Sequence, residues 1–492
     1  MRSLTLVAIL AIPAQVAFAQ QPSAGARGNS LTLEDAITTA HRNNAQFLQI
    51  RNTVRTSEST VKQAYAALLP SSSVSFNTLY QQGGTQFFQG VALGGGNADS
   101  RQSSYRLNLS YNVSGAALFA PRSARASRDA AEADVNSQAE GLRAQVTNQY
   151  ITALQQQAQA ALQDTLVQTA AGQLELAQAR MKVGAGTILD VRSAEVAVGQ
   201  AQVASLTAHN QAAIEKLRLF QFMGVAGDTS TELTTKFAIA QPGFTLDSLL
   251  ALARRVNPDV EARRSREFAA DMNVRAARTS YMPSLSIGTG WGGNSFEYVN
   301  SDIPVAQQQA SAQSQMRSCL SLDSLRTRSG LPGLTCGSGS LSQEQIDAIH
   351  AQNNQFPFKF NRNPIGVSAT LSMPLFNGYQ REAQVEQAKV ARDNASNDLR
   401  ARNLQLTTDV TTAYLNLVTA VKTVQLQEQN AAKAAEELAF AEESYRVGSR
   451  TFLDVTTARG SFERAKSDRV DAIYNYHKAY AALENAVGRP LR

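Results

Sequence analysis

The residues of this chain that could catalyse a reaction or bind a metal lie far apart in the sequence. A glycine pattern from Gly288 to Gly293 matches the dinucleotide-binding fingerprint, but loop residues follow it where that site requires a helix. None of the four histidines has a partner at metal-ligand spacing, and each is expected to be solvated. They are His41, His209, His350 and His477. The sequence therefore predicts no enzyme activity, no metal site and no cofactor.

The two cysteines, Cys319 and Cys336, are predicted to form a disulfide. The start of the chain indicates export, because Arg2 precedes an apolar stretch and Ala17-Phe18-Ala19 is a small-x-small cleavage site. Residues 1–19 are thus a predicted signal peptide, and the mature chain is expected in an oxidising compartment. In that compartment, a disulfide that closes the loop between Cys319 and Cys336 would contribute roughly 3 kcal/mol to stability.

Charge and composition favour a helical protein that binds no nucleic acid. The net charge of +6 is spread along the chain rather than gathered in one basic run. One tryptophan, 7% aromatic residues and many alanines suit long, closely packed helices. No segment after the signal peptide has the roughly 18 uninterrupted apolar residues of a transmembrane helix.

The second half of the chain repeats part of the first. Residues 181–191 align without a gap to residues 445–455, and the same offset brings Tyr150 onto Tyr414. Both aligned segments contain Val-Gly followed by Leu-Asp-Val, as in Leu189-Asp190-Val191. An internal repeat of this kind predicts two like structural units.

The predicted domains follow from the repeat. A first structural repeat at 20–225 is joined by a connecting segment at 226–245 to a second repeat at 246–492. The second repeat carries an insertion at about 292–364 that is rich in Ser, Gln, Gly and Asn and contains both cysteines. This insertion is predicted to be a long loop closed by the disulfide, and the matching loop at 81–104 is shorter.

Long helices are predicted on both sides of each repeated segment. No glycine or proline interrupts residues 379–447, and a helix of that length would measure about 100 Å. Each long helix ends at a Val-Gly pair, where glycine permits the left-handed conformation. The apolar spacing in 379–447 is that of a coiled-coil seam: Val410, Tyr414, Leu417, Val421 and Val424. The predicted helices span about 34–69, 122–183, 188–223, 379–447 and 452–487.

Four segments alternate apolar and polar residues with the period of a β-strand. They span about 72–80, 105–113, 284–291 and 365–373. Each has the length of a tilted transmembrane strand, and the apolar face carries Tyr80, Tyr105, Tyr111 and Trp291 near its ends. Four strands cannot close a barrel, so a membrane location requires several chains to share one. A soluble β-sandwich, with one packed and one solvated face, is the alternative.

These motifs together resemble the outer membrane efflux protein family, the TolC-like channel-tunnels. The resemblance rests on the helix starts at 31–36 and 244–249, on Pro-Leu-Phe-Asn-Gly at 374–378, and on the two Val-Gly turns. It implies a mainly α fold with a transmembrane β part. Three chains would build a periplasmic α-barrel of antiparallel coiled-coil helices and share one twelve-stranded β-barrel in the outer membrane. A periplasmic adaptor (membrane fusion protein) would connect this homotrimer to an inner-membrane transporter.

The resemblance also implies roles for residues at the repeated turns. A periplasmic gate would be held shut by Tyr445, Arg450 and Asp190, with an Arg450–Asp190 ion pair worth about 1 kcal/mol per subunit. Asp454 would join a threefold ring of carboxylates that repel one another and raise their pKa values. This ring is expected to be weaker here, because Thr457 stands where the family often has a second aspartate. The expected adaptor contacts are Val183, Gly184, Val447 and Gly448.

Two alternatives remain open at this stage. Asp190 and Asp454 could be ordinary first-turn residues that interact with helix dipoles. The resemblance implies a passive export duct for a tripartite efflux pump or a type I secretion system, whereas a non-conducting periplasmic coiled-coil scaffold or adhesin is the alternative. The sequence does not identify the substrate, because a water-filled tunnel carries whatever its pump delivers: drugs, metal ions, polysaccharides or polypeptides.

Overall fold

The computed structural model describes residues 30–84, 87–88, 91–92, 98–235, 237–239 and 243–491. The predicted signal peptide lies outside these residues, as do Gly94-Gly95-Gly96 of the first loop and part of the connecting segment. Helices predominate in the described chain, as the sequence predicts. No helix in these ranges is both long enough and apolar enough to cross a membrane.

The described helices are numbered in chain order. They are α1 (Leu33–Asn43), α2 (Ala45–Ala66), α3 (Gly115–Lys182), α4 (Ile188–Met223), α5 (Leu246–Val256), α6 (Pro258–Arg278), α7 (Asp302–Arg328), α8 (Gln343–Asn353), α9 (Gln380–Arg446) and α10 (Phe452–Val487). A short 3-10 turn at Thr279–Tyr281 follows α6. The two longest helices, α3 and α9, have 68 and 67 residues.

Four of the described strands are long, and all four belong to one sheet. They are β1 (Ser30–Leu31), β2 (Ser71–Gln81), β3 (Phe87–Phe88), β4 (Val91–Ala92), β5 (Ser100–Val113), β6 (Glu232–Leu233), β7 (Ser284–Tyr298), β8 (Asn361–Arg362) and β9 (Gly366–Ser372). β1 pairs with β6 in parallel, and β3 pairs with β4. The main sheet has the antiparallel order β2-β5-β7, and β8 and β9 pair with β7 one after the other along its length.

The chain divides into two compact units. Unit 1 comprises Met1–Val54, Ala131–Arg264 and Asn397–Arg492, and unit 2 comprises Arg55–Ala130 and Ser265–Ser396. Unit 1 therefore contains both repeated turns. Unit 2 contains the main sheet and the two cysteines.

Two large apolar clusters stabilise unit 1, and a third, smaller cluster lies at the repeated turns. The first packs α9 against α10, α5 and the start of α6, and it includes the predicted coiled-coil seam: Val410, Leu417 and Val424 are buried, and Tyr414 and Val421 pack beside them. The second cluster packs α3 against α1 and α4. Burying each large aliphatic side chain contributes on the order of 1.5–3 kcal/mol, so these clusters hold the long helices in pairs.

The predicted helix at 34–69 is wrong in one respect, because the structure breaks it at Asn44. The side chain of Asn44 donates to the carbonyl oxygen of Phe222 at 2.8 Å and accepts from the amide of Phe47 at 2.9 Å. It thereby satisfies one backbone group of α4 and caps α2. Asn257, which lies between α5 and α6, makes the corresponding pair of contacts: its side chain donates to the carbonyl oxygen of Ala486 on α10 at 3.0 Å and accepts from the amide of Val260 at 3.2 Å. The break depends on a contact with a distant helix, which a local pattern does not reveal.

Two strands are longer than the sequence predicts. The predicted bounds 105–113 and 284–291 follow the apolar alternation, whereas β5 and β7 remain paired as far as Ser100 opposite Tyr298. The added residues are mostly Ser, Asn, Gln and Gly, so they show no apolar alternation. In their place a buried hydrogen bond joins the hydroxyls of Ser103 and Ser295 at 2.7 Å.

The insertion at 292–364 is predicted to be a long loop closed by the disulfide, but much of it is regular secondary structure. β7 continues into it, and α7 and α8 follow. The described α7 buries none of its residues, so it lacks the apolar stripe by which a helix is recognised in a sequence. α8 begins with a capping box made by Ser342 and Gln345. The predicted disulfide between Cys319 and Cys336 is confirmed and joins α7 to the segment before α8.

One histidine is not solvated as predicted. His477 on α10 is 2% exposed and lies against the rings of Phe237 and Tyr476, with centroids 5.1 and 5.0 Å away. His209 is exposed and contacts the carboxylate of Asp164 at 2.9 Å. The imidazole of His477 packs among these rings as another aromatic side chain, which accounts for its place in the core.

Gly488 ends α10 in a conformation that glycine adopts most easily, with φ at +90°. A Cβ at this position would lie 2.6 Å from Cδ of Pro258. We expect Gly488→Ala to lower the melting temperature followed by far-ultraviolet circular dichroism, because it introduces both strain and a clash. Gly460→Ala is the control: it lies within α10 with open space around the added methyl group, and it should stabilise by about 0.5–1 kcal/mol. Equal melting temperatures for the two variants would contradict this reasoning.

Candidate gate at the paired helical turns

The two repeated segments form similar tight turns between long helices. α3 ends before Gly184, whose φ is +76°, and α9 ends before Gly448, whose φ is +84°. In each turn the glycine amide donates back to a carbonyl oxygen of the last helical turn, at 3.0 Å. Glycine is required because other residues are strained at positive φ.

Each following helix begins with a capping box. The hydroxyl of Thr187 accepts from the amide of Asp190 at 3.2 Å, and Oδ2 of Asp190 accepts from the amide of Thr187 at 3.0 Å. Thr451 and Asp454 make the same reciprocal pair at 3.4 and 2.9 Å. Both predicted gate aspartates are thus first-turn residues that satisfy helix N-termini, which is the alternative that the sequence left open.

Asp190 also faces Tyr445 across the two turns. The hydroxyl of Tyr445 donates to Oδ2 of Asp190 at 3.5 Å, the same oxygen that caps α4. Tyr445 is 4% exposed, and its ring packs edge-on against Phe452 at 5.7 Å. Burial and the negative charge of Asp190 raise the pKa of Tyr445 above its ordinary value. The phenol therefore stays protonated and able to donate.

Small apolar residues surround this contact. The cluster combines residues of both turns and their helices: Ala177, Val191, Ala194, Leu438, Ala441, Tyr445, Phe452, Val455 and Ala458. Alanine at four of these nine positions allows the helices to approach closely. It also leaves less apolar area to bury than in the other two clusters of unit 1.

Arg180, in the last turn of α3, makes contacts that the sequence did not reveal. Its guanidinium lies over the ring of Tyr445, 4.3 Å from the centroid. The same group donates to the carbonyl oxygens of Tyr445, Arg446 and Ala185, at 3.1 Å for Arg446 and 2.8 Å for Ala185. The only sequence signal was a basic residue near a helix C-terminus, which is common and normally serves its own helix.

A second polar contact missed by the sequence lies further from the turns. Nε2 of Gln173 on α3 donates to Oε1 of Glu442 on α9 at 3.0 Å, and Arg459 on α10 donates to Oε1 of Gln173 at 3.2 Å. Arg459 also pairs with Glu463 at 3.2 Å, and its side chain is 11% exposed. These residues join three helices, although nothing in their spacing indicates it.

Of the remaining predicted gate residues, Arg450 is exposed and Asp454 is partly exposed. Among the described contacts of a single chain, no ion pair joins Arg450 to Asp190, so that pair stays a prediction. The pKa of Asp454 is lowered, first by the hydrogen bond from the amide of Thr451 and to a smaller degree by the charge of Arg450. The hydroxyl of Thr457 donates to the carbonyl oxygen of Leu453 in its own helix at 3.0 Å.

The residues predicted to contact an adaptor lie at the surface of the turns. Val183 and Val447 are 78% and 68% exposed, which is unusual for valine. Gly184 and Gly448 beside them are also exposed. Within the described ranges, no group of three or more His, Cys, Asp or Glu side chains could hold a metal ion.

Several solved structures have the same fold as this chain. VceC from Vibrio cholerae aligns with a TM-score of 0.66 at 17% identity, covering 94% of this chain and 97% of that one. CusC aligns with a TM-score of 0.69 at 16% identity, covering 93% and 92%. The open state of the MtrE outer membrane channel from Neisseria gonorrhoeae aligns at 0.65 and 17%, covering 94% and 89%. At these identities the similarity concerns the fold.

A family model described as outer membrane efflux protein matches residues 36–225 and 334–489. The chain belongs to this family, which confirms the predicted resemblance and indicates the outer membrane as its location. The family is one of channels, so the assignment agrees with the prediction that the chain is not an enzyme.

Two relatives illustrate the distance within the family. The outer membrane protein TolC of Escherichia coli is 23% identical over 323 residues, which are 64% of this chain and 55% of TolC. The chain therefore matches little more than half of that relative. The outer membrane efflux protein BepC of Brucella suis is 24% identical over 467 residues, which are 94% of this chain and 86% of BepC.

The cap made by Asp454 should depend on pH. Because the pKa of Asp454 is lowered in the folded chain, its ionised form stabilises the fold above the ordinary value of 3.8. That contribution is lost as the pH falls through the lowered pKa. We expect the first-turn amides of α10 to lose hydrogen-exchange protection below pH 3.8, after correction for intrinsic rates. Asp454→Ala should reduce the protection already at neutral pH, and an unchanged profile in that variant would contradict the capping role.

Proposed function

We propose that this chain forms a trimeric channel in the outer membrane and exports substrates as a passive duct. The duct serves a tripartite efflux pump or a type I secretion system and is opened at its periplasmic tip by an adaptor and an inner-membrane transporter. A cleaved signal peptide at 1–19 directs its export. The observation that carries the proposal is the distribution of side chains on the main sheet of unit 2.

The strand register places all the alternating apolar residues on one face of the sheet. Leu107 lies opposite Val74 on one side and Trp291 on the other. Ile287 lies opposite Tyr111 and Ala369. The apolar face is therefore continuous across β2, β5, β7 and β9, as a surface in contact with lipid requires.

The opposite face of the sheet is small and polar. Asn108 lies opposite Ser73 and Gly290, and Gly288 lies opposite Ser110 and Ser368. A wet lumen suits this face. In a β-sandwich a second sheet would cover the apolar face, whereas Val74 and Val367 on that face are 78% and 75% exposed. Each of the four long strands thus supports the channel over the sandwich.

The edges of the sheet support assembly from several chains. Among the described strands, β2 and β9 each have a neighbour on one side only. An unpaired strand edge is not tolerated in the hydrocarbon layer, because its amide and carbonyl groups would lack partners. If β2 of each chain pairs with β9 of the next, three chains close a barrel of twelve strands.

The helices of unit 1 support a periplasmic extension. α4 and α10 have 36 residues each, or about 54 Å at the rise of an α-helix. Hydrogen bonds connect α3 to α10, including Gln155 to Asp471 at 2.7 Å and Gln159 to the carbonyl oxygen of Ser467 at 3.2 Å. Polar contacts of this kind can be exchanged with water, so they suit helical hairpins that move apart on opening.

In this proposal the gate lies at the paired turns. Tyr445 and Arg450 hold Asp190, and three copies of Asp454 form a carboxylate ring that favours cations. The exposed tip residues contact the adaptor: Val183, Gly184, Val447 and Gly448. The contact between Tyr445 and Asp190 within one chain supports the gate. The exposure of Val183 and Val447 supports the contact with the adaptor.

Conductance across a planar lipid bilayer tests the channel. Detergent-purified wild-type protein should migrate as a heat-modifiable trimer and give small, infrequent openings. Arg450→Ser should open more, by about fivefold per subunit in the open-to-closed ratio if the latch is worth ~1 kcal/mol. Arg192→Ser is the matched control, because Arg192 is exposed near the first turn and pairs only with Glu195 in the described contacts.

The outcome of this experiment also decides between the channel and the scaffold. Silence from wild-type and Arg450→Ser trimers alike would refute the duct and favour a non-conducting scaffold or adhesin. The scaffold further predicts that the processed protein fractionates with soluble periplasmic proteins, whereas the channel predicts the outer-membrane fraction.

A further inference from the structure

Arg180 connects the two turns within one chain. It belongs to α3, yet two of its three carbonyl acceptors, those of Tyr445 and Arg446, are at the C-terminus of α9. The third acceptor, Ala185, lies in the first turn itself. One guanidinium group thus reaches both turns, and a Cβ on Gly448 would lie 4.0 Å from it.

The physical basis of this contact is the C-terminus of α9. The last carbonyl groups of a helix have no partners inside the helix, and the helix dipole gives that end a partial negative charge. A guanidinium group satisfies both conditions, because it is always charged and carries several donors in a fixed plane. Arg180 therefore caps α9 from a different helix.

The contact also fixes the ring of Tyr445. The guanidinium plane covers one part of the ring at 4.3 Å, and Phe452 covers another at 5.7 Å. Held between these two groups, the ring directs its hydroxyl toward Asp190. Its low exposure leaves little room for another orientation.

We propose that Arg180 is a positioning residue of the gate, and this inference rests on the proposed function. Arg180 holds the two turns of each subunit together and sets Tyr445 in the orientation that reaches Asp190. It is distinct from Arg450, which lies exposed on the second turn. Opening of the tip requires the guanidinium to leave the carbonyl groups of α9.

Substitutions of Arg180 test the proposal by planar-bilayer conductance of trimers. Arg180→Gln removes the charge, and Arg180→Lys keeps the charge but loses the planar fork of donors. We expect Arg180→Gln to raise the open-to-closed ratio by about tenfold or more, the scale of a lost hydrogen bond to a charged group, with Arg180→Lys in between. Arg192→Gln is the matched control and should behave as wild type. Wild-type openings from both Arg180 variants would overturn the proposal.

A double-mutant cycle tests whether Arg180 acts through Tyr445. Tyr445→Phe removes the hydroxyl but keeps the ring on which Arg180 stacks. If Arg180 positions that hydroxyl, Arg180→Lys should have a smaller effect in the Tyr445→Phe background than in the wild type. Full additivity of the two substitutions would show that Arg180 acts independently of Tyr445 and would refute the positioning role.

A second pair of variants covers the case in which Arg180 substitutions prevent trimer assembly. Tyr445→Leu removes both the ring and the hydroxyl, whereas Tyr445→Phe removes the hydroxyl alone. Stacking by Arg180 predicts more frequent openings from the leucine variant, and equal openings would count against it. The two proposals fail separately: if Arg450→Ser conducts and the Arg180 variants match wild type, the channel stands and the role of Arg180 does not.

Discussion

The backbone groups at the ends of the long helices must find hydrogen-bond partners, and the tip of this protein is built from the ways in which they do so. Gly184 and Gly448 turn the chain so that amides donate back into α3 and α9. Thr187 and Thr451 cap the helices that follow. Arg180 then satisfies carbonyl groups of α9 that the turn leaves available. The residues near the candidate gate are first of all those that end helices.

The sequence analysis treats a helix cap and a gate contact as alternative roles for Asp190, but the structure combines them. Oδ2 of Asp190 caps α4 and also accepts the hydroxyl of Tyr445. A carboxylate oxygen has two lone pairs, so one atom can do both. The cap holds the acceptor still, and a fixed acceptor gives the contact from the second turn a defined geometry. In the described chain Asp454 is engaged in its own cap with Thr451, and its charge remains accessible to solvent.

The main sheet obeys a different constraint, the strict period of two residues along a strand. A slip of one residue between two strands would move every apolar side chain to the polar face. Pairing over fourteen positions between β5 and β7 fixes the register, so a continuous apolar face results. Glycines and serines on the other face keep it small and wettable. The ends of β5 and β7 also consist largely of glycine and small polar residues, so apolar alternation does not predict them.

The sequence by itself determined the features that depend on neighbours along the chain. Glycine and threonine residues at helix ends predicted the bounds of α4, α9 and α10 to within a residue or two. The alternation of apolar and polar residues located the four long strands. The tertiary structure decided what depends on distant segments: the break at Asn44, the surface helix α7, the burial of His477, and the contact of Arg180 with Tyr445. Each of these is stabilised by a partner from another part of the chain or lacks an apolar pattern altogether. Local propensity cannot encode such contacts, because their energy exists only once the helices are packed.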